Sequence, residues 1–229
     1  MNSRLDEAVA RISLWKGHQV KVSQLSGGLT NENYLVEAEG RRYVMRIPGR
    51  STELLSIDRA NEVFNTKAAA TTGIGPRVLE HVPGLDVLVL EFIPGRTMSA
   101  KTLQSKEMPA RMGTSFRRLH SSPRFLRDFN MFRLIEEYLG IVDGHGVTIP
   151  DGYRDWLPTI ARIERAAGAG GLPPVPCHND LLCENFIDDG NALRIVDYEL
   201  SGNNDPCFDL GNTAQEAEFD QDLRAALCT

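Results

Sequence analysis

The sequence predicts an α+β protein of two lobes. Residues 1–95 would form an antiparallel β-sheet N-lobe carrying one helix, and residues 96–229 a mainly α-helical C-lobe. Three observations predict this. Short alternating or fully apolar segments, separated by turn residues, fill the stretch from 19 to 95; helical patterns take over from 96; and late in the chain two short apolar segments flank a polar loop.

The first element, in "MNSRLDEAVARISLW", has the period of an amphipathic helix. "HQVKVSQL" follows as a strand and is broken by "SGGLTNEN". "YLVEAEGRRYVMRI" then reads as a hairpin turning at Glu39-Gly40. Its expected faces are Leu35, Tyr43 and Met45 against Val36, Val44 and Arg46. "STELLSIDRANEVFNTKAAATTG" reads as one helix stopped by Gly73, and "PRVLEHVPGLDVLVLEFIPG" as two strands joined at Pro83-Gly84. The lobe boundary falls near Pro94-Gly95. Three helices follow, in "SKEMPARMGTSFRRLHS", "NMFRLIEEYLGIVDGHG" and "GYRDWLPTIARIERAAGA".

Composition sets limits on partners. A chain of 229 residues can bury a real core, and 41% hydrophobic with 24% charged residues is ordinary for a soluble globular protein. A net charge of −6 argues against nucleic acid as the partner, because phosphate backbones select basic surfaces. A small neutral or cationic substrate fits better. No run of eighteen apolar residues exists, so no membrane insertion is expected. The N-terminus lacks the apolar core of a signal peptide, which places the protein in the cytoplasm. There Cys177, Cys183, Cys207 and Cys228 would remain reduced, as buried or half-buried free thiols. Cys177, His178 and Cys183 have no second ligand pair at zinc-site spacing. Neither G-x-S-x-G nor H-E-x-x-H occurs, so serine-hydrolase and zincin chemistry have no support.

In "LSGGLTNENYLV", Gly27 and Gly28 sit between two strands. Dinucleotide-binding and Walker-type glycine loops lead into a helix, and this one does not. A glycine turn between antiparallel strands can instead lie over nucleotide phosphates, as in protein kinases. Taken alone, the turn reads first as a plain hairpin. Arg46 in "YVMRI" and Glu62 on the next helix supply the cation and carboxylate by which such enzymes hold α- and β-phosphates. Each by itself would be an ordinary surface charge.

The stretch "CHNDLLCENFIDDGNALRIVDYE" carries the chemistry. It contains H-x-D-x-x-x-x-N, with Asp180 and Asn185 five apart, and Asp197 follows the apolar strand "LRIV". Phosphoryl transfer needs one carboxylate near the attacking hydroxyl and oxygen ligands for a magnesium ion bridging the ATP phosphates. Asp180 suits the first role; Asn185 and Asp197 suit the second. The "DDGN" turn would set the two flanking strands side by side. His178 and His120 are read as structural. A hydrolase using Asp180 and Asp197 would leave the glycine turn and the Arg46–Glu62 pair without a task.

On "LSGGLTNENYLV", "YVMRIPG", "LEFIPGRTM", "CHNDLLCENF" and "IVDYELSGNNDPCFDLGN", the sequence resembles the choline/ethanolamine kinase branch of the aminoglycoside-phosphotransferase-like kinases, over nearly its whole length. The resemblance implies a bilobal protein-kinase-like fold and transfer of the ATP γ-phosphoryl group to a small amino alcohol, choline first. It implies Asp180 as catalytic base, Asn185 and Asp197 as magnesium ligands, and Arg46 with Glu62 as the phosphate-holding pair. Gly27, Gly28, Asn31 and the backbone at Glu91 to Ile93 would meet the nucleotide. An arginine at position 46, where aminoglycoside kinases usually carry lysine, is itself a feature of the choline kinase branch. Tyr198-Glu199 followed by Phe208-Asp209 and Asn212 resembles the family's substrate segment. Tyr198, Glu199 and Asp209 are therefore expected at an ammonium group, by charge and cation–π attraction. For Asp209, bracing of the loop is an equal expectation. Family members usually continue for several helices beyond this segment. The resemblance thus implies a C-terminally short C-lobe with a more open pocket, and leaves other acceptors (thiamine, an aminoglycoside) or an inactive nucleotide-binding pseudokinase as alternatives.

Overall fold

The computed structural model describes residues 3–26, 30–49 and 55–229; Gly27 and Gly28 lie outside the described residues. The N-lobe comprises α1 (Ser3–Arg11), β1 (Val20–Gln24), β2 (Asn31–Ala38), β3 (Arg41–Pro48), α2 (Arg59–Ala70), β4 (Val78–Val82) and β5 (Val87–Glu91). The five strands form one antiparallel sheet in the order β1-β2-β3-β5-β4. Both its faces are covered. Ala8, Ile12 and Trp15 pack with Tyr34, Val36, Met45, Ile47, Val87 and Val89 on one face, whereas Val63 of α2 packs with Leu88 and Leu90 on the other. That double burial is why "VLVL" in β5 is continuously apolar rather than alternating.

Three sequence expectations change here. The β2–β3 turn does fall at Glu39-Gly40, where positive φ at both residues (48° and 74°) matches the sheet twist. The register, however, pairs Val36 with Tyr43 and Leu35 with Val44. Val36 therefore shares a face with Tyr43 and Met45, and Leu35 with Val44 and Arg46. The two-residue turn sets Ala38 opposite Arg41, which reverses the expected assignment for β2. Of the helix expected from residue 51, residues 51–54 lie outside the described residues, and α2 begins at Arg59, where Asp58 caps it by accepting the Ala60 and Asn61 N–H groups. The N-terminal helix stops at Arg11. Residues Ser13–Trp15 form a 3₁₀ turn, docked on β4 by Glu80, which accepts from the Ser13 and Leu14 amides and the Ser13 hydroxyl.

The C-lobe runs β6 (Arg96–Thr97), α3 (Ala100–Leu103), α4 (Met108–His120), α5 (Met131–His145), α6 (Leu157–Gly170), β7 (Val175–Cys177), β8 (Phe186–Asp188), β9 (Leu193–Ile195), β10 (Gly202–Asn204), α7 (Pro206–Glu216) and α8 (Gln221–Leu227). Met108, Met112, Phe116 and Leu119 make one stripe of α4 and pack on Leu181, Phe186, Leu193, Ile195 and Tyr198. The core thus lies directly beneath the polar loop singled out above. β8 and β9 form the expected hairpin around Asp188–Asn191, and β6 joins as a third strand. Cys177 and Cys183 are buried, whereas Cys207 and Cys228 are exposed, contrary to the expectation for that pair; all four are free. Among the described residues, no helix is long and apolar enough to cross a membrane.

The lobes meet through apolar contacts, with Ala68, Ala69 and Ile74 joining the C-lobe core, and through polar ones. Asn61 and Asn65, one turn apart on α2, both donate to the Ser201 carbonyl, at 2.8 and 3.0 Å. Asn65 also accepts the Leu126 amide at 2.9 Å. Between the lobes the chain passes so close to β8 that a Cβ on Gly95 would stand 2.5 Å from the Asp188 carbonyl oxygen. Since that atom belongs to backbone and cannot yield cheaply, Gly95→Ala should destabilise the protein by about 1–3 kcal/mol. Urea unfolding of the two proteins checks it; an unchanged midpoint would mean that β6 and β8 can part at no cost.

Candidate active site

Strand alternation decides where the site begins. Val44 and Arg46 point to the α2 side of the sheet, so a cation enters the space between sheet and helix. Arg46 is 5% exposed and Glu62, which it meets from α2, only 1%. A charge buried that deeply must be paired. The Arg46 guanidinium reaches Glu62 through Nη1 and Asp197 through Nη2. The second Glu62 oxygen accepts from Arg59 Nη1 at 2.7 Å, and the same nitrogen lies 3.3 Å from Glu199 Oε2. The chain Asp197–Arg46–Glu62–Arg59–Glu199 alternates in sign, and its two carboxylate ends stand two residues apart in sequence. Burial alone would draw the Arg46 pKa down, but the charges of Asp197, Glu62 and Glu199 outweigh it and raise the value.

Glu199 has more partners. Its carboxylate accepts from the Thr30 hydroxyl and, at 2.8 Å, from Asn31 Nδ2, both on the chain just after the glycine turn. Burial pushes the Glu199 carboxyl upward, as does the charge of Asp197, while Thr30, Arg46 and Asn31 pull the other way.

The loop after β7 is shaped by backbone as much as by side chains. Asn179 and Asp197 both adopt left-handed conformations, with φ of 68° and 75°. Asn and Asp tolerate this region better than other residues carrying a Cβ. The turn at Asn179 is held from below by Asp209, which is fully buried. Its two oxygens accept the His178 and Asn179 amides, at 3.0 and 2.9 Å, and His120 Nε2 lies 3.0 Å away. Asn212 Oδ1 accepts the Leu181 amide. His178 is also committed: Nε2 donates to the Val196 carbonyl at 2.9 Å, which leaves Nδ1 to accept the Asp180 amide at 3.3 Å. Its ring meets the edge of Tyr198, with centroids 4.9 Å apart. A histidine so engaged braces the loop and has no nitrogen left for a substrate proton.

Asp180 thus stands on a clamped turn, half-buried. Burial raises its carboxyl above the ordinary aspartate range, and the nearby Asp197 charge adds to the rise. Asn185 Nδ2 donates to the Asp180 carbonyl at 2.8 Å, which leaves the amide oxygen for a cation. That oxygen and the Asp197 carboxylate are hard donors of the kind magnesium selects.

The remaining expected residues divide. The Glu91 amide donates to the Arg77 carbonyl at 2.9 Å, and the Glu91 carboxylate also accepts from Arg77. Ile93 is buried where the chain leaves the sheet. Tyr198 is 1% exposed, wedged between His178 and Phe125, and burial raises its phenol sharply. Tyr198 and Asp209 therefore sit within the core under the loop. Beside Glu199 a cavity of about 390 Å³ opens, lined among others by Asn61, Phe129, Leu134 and Glu137. Tyr138, next to Glu137, has its phenol raised by burial first and then by the charges of Glu137, Glu199 and Asp180, which brings these carboxylates into one neighbourhood. Arg59 and Thr30 were not among the expected residues. Arg59 carried a usable signal, a basic residue three before Glu62 on a helix; Thr30 carried none.

A family model described as choline/ethanolamine kinase matches residues 22–226. The protein LicA of Haemophilus influenzae is 29% identical over 210 residues, 90% of this chain and 60% of that protein. The chain thus spans about 60% of the length of this curated relative. A solved structure of a choline/ethanolamine kinase family protein from Mesorhizobium loti is 38% identical, with a TM-score of 0.82, covering 98% of this chain and 74% of that one. Choline kinase LicA from Streptococcus pneumoniae is 25% identical, with a TM-score of 0.84, covering 97% of this chain and 78% of that one.

The geometry under the loop makes a stability prediction. Asp209→Ala would strand two buried amides and a histidine, so it should cost about 3 kcal/mol or more. Denaturant titration of the variant checks it, and a loss under about 1 kcal/mol would show that water replaces the carboxylate.

Proposed function

The chain belongs to the choline/ethanolamine kinase family, and from that premise we propose that it transfers the γ-phosphoryl group of MgATP to the hydroxyl of a small amino alcohol, with choline as the acceptor. One observation carries the reading: Asp180, Asn185 and Asp197 come from two neighbouring loops, and Arg46 binds Asp197 and Glu62 with one guanidinium.

In this reading Arg46 holds the α- and β-phosphates, kept in place by Glu62. Asn185 and Asp197 would hold magnesium, which when bound neutralises charge on the phosphate oxygens. Asp180 accepts a hydrogen bond from the acceptor hydroxyl, orients it in line with the γ-phosphorus and takes its proton as the bond forms. The raised pKa of Asp180 suits a base, since a carboxylate nearer neutrality draws a proton more strongly. Tyr198 and Asp209 act from beneath by fixing the loop. The acceptor's cationic head is assigned to the cavity beside Glu137 and Phe129, where a carboxylate and a ring face one opening.

The test is ADP release from MgATP with choline, ethanolamine, thiamine and an aminoglycoside offered in turn. Choline should turn over; turnover confined to another acceptor would overturn the substrate, and none with any acceptor would overturn the activity. Asp180→Asn should lower kcat by about 10²–10⁴ while MgATP affinity, read by calorimetry, stays near that of the parent. The pH profile follows in sign. Only ionised Asp180 can take the proton, so kcat/KM should fall as pH drops through a value above the ordinary aspartate pKa of about 4. An acid limb that persists unchanged in Asp180→Asn would assign it to another group.

A further inference from the structure

Glu199 is expected from the sequence at the acceptor's ammonium group, yet its carboxylate is turned to the N-lobe. Three donors converge on it: the Thr30 hydroxyl on Oε1, and Asn31 Nδ2 at 2.8 Å with Arg59 Nη1 at 3.3 Å on Oε2. Thr30 immediately precedes β2, which Asn31 begins. The Thr30 carbonyl also accepts the Gly49 amide at 2.8 Å, tying the same point to the end of β3. The Glu199 side chain is 5% exposed and that of Arg59 12%. On its other side Glu199 is joined covalently, through Tyr198, to Asp197. This carboxylate links the chain at Thr30 and Asn31 to the loop bearing Asp197 through two hydrogen bonds.

We propose that Glu199 is a positioning residue for the nucleotide: it clamps the chain at Thr30 and Asn31, and Arg59 of α2, to the loop bearing Asp197, so that its loss weakens nucleotide binding more than acceptor binding. The inference rests on the phosphoryl-transfer reading above. Both oxygens already accept from donors on the N-lobe, which fixes the carboxylate's orientation toward Thr30, Asn31 and Arg59. The clamp also explains the orientation of Arg59, which serves Glu62 and Glu199 through one nitrogen and so couples the phosphate-holding pair to the same point. Buried groups sharing partners in this way couple energetically, so paired substitutions should depart from additivity.

Glu199→Gln is the informative change. It keeps the shape but presents an amide N–H₂ to a donor at one of the two positions. Thr30→Val removes the hydroxyl from the other side, and Thr30→Ser retains it. Calorimetric binding of MgATP to the whole protein is the primary reading, with KM for MgATP and for choline measured alongside. We expect Glu199→Gln and Thr30→Val each to weaken MgATP binding by about tenfold, the order set by one lost charge-assisted hydrogen bond. The double variant should be little worse than either single one, Thr30→Ser should bind close to the parent, and KM for choline should change less than about twofold. A rise in KM for choline with MgATP affinity unchanged would overturn the proposal and return Glu199 to the acceptor site, as would strictly additive effects of the two substitutions. The binding readings do not depend on the acceptor. If no amino alcohol turns over, the proposed reaction fails while calorimetry still decides the clamp.

Discussion

A guanidinium buried between carboxylates of different lobes is the constraint on which the arrangement depends. Arg46 cannot lie 5% exposed on a sheet face without partners, and two carboxylates meet it, Glu62 on α2 and Asp197 on the loop after β9. Leaving such a charge unpaired costs about 3–5 kcal/mol, a large share of a domain's net stability. The sheet, α2 and the C-lobe loop are therefore held in one relative position by charge as well as by apolar burial, since Ala68, Ala69 and Ile74 join the C-lobe core. Asn61 and Asn65 of α2 add to this, hydrogen-bonded to the Ser201 carbonyl.

The C-lobe solves a different problem, how to present carboxylates above an apolar floor. Its answer is a loop whose strained points are underpinned from within. Asn179 and Asp197 take left-handed backbone, and each neighbours a buried group that holds the turn: Asp209 beneath Asn179, and the His178–Val196 bond beside Asp197. Strain of this kind persists only where surrounding contacts over-determine it. Phe116, Phe186 and Tyr198 form the floor, so Asp180 inherits a partly desolvated setting that raises its carboxyl. Packing, backbone strain and proton affinity are thus parts of one local design.

Much of the fold was legible because its signals are local. Five strands, the helix after the third, and the β8–β9 hairpin each leave a pattern within a dozen residues. The misreadings came where a non-local or capping effect intervened. The assignment of β2 faces turned on the register set by Glu39-Gly40, and the start of α2 on the Asp58 cap. The short strands β6, β7 and β10 are defined by partners distant in sequence and have too few residues to show a period.

The sequence by itself determined the two-lobed α+β plan and the spacing of Asp180, Asn185 and Asp197. Spacing and periodicity are properties of the chain alone. Only the tertiary structure decided what each acidic group faces. Glu199 and Asp209 stand in one short motif with similar side chains, yet one turns to Thr30, Asn31 and Arg59 and the other to two backbone amides in the core. The physical reason is that a carboxylate's role follows from the donors that surround it, and those donors come from residues roughly 30 to 170 positions away, brought together only by folding.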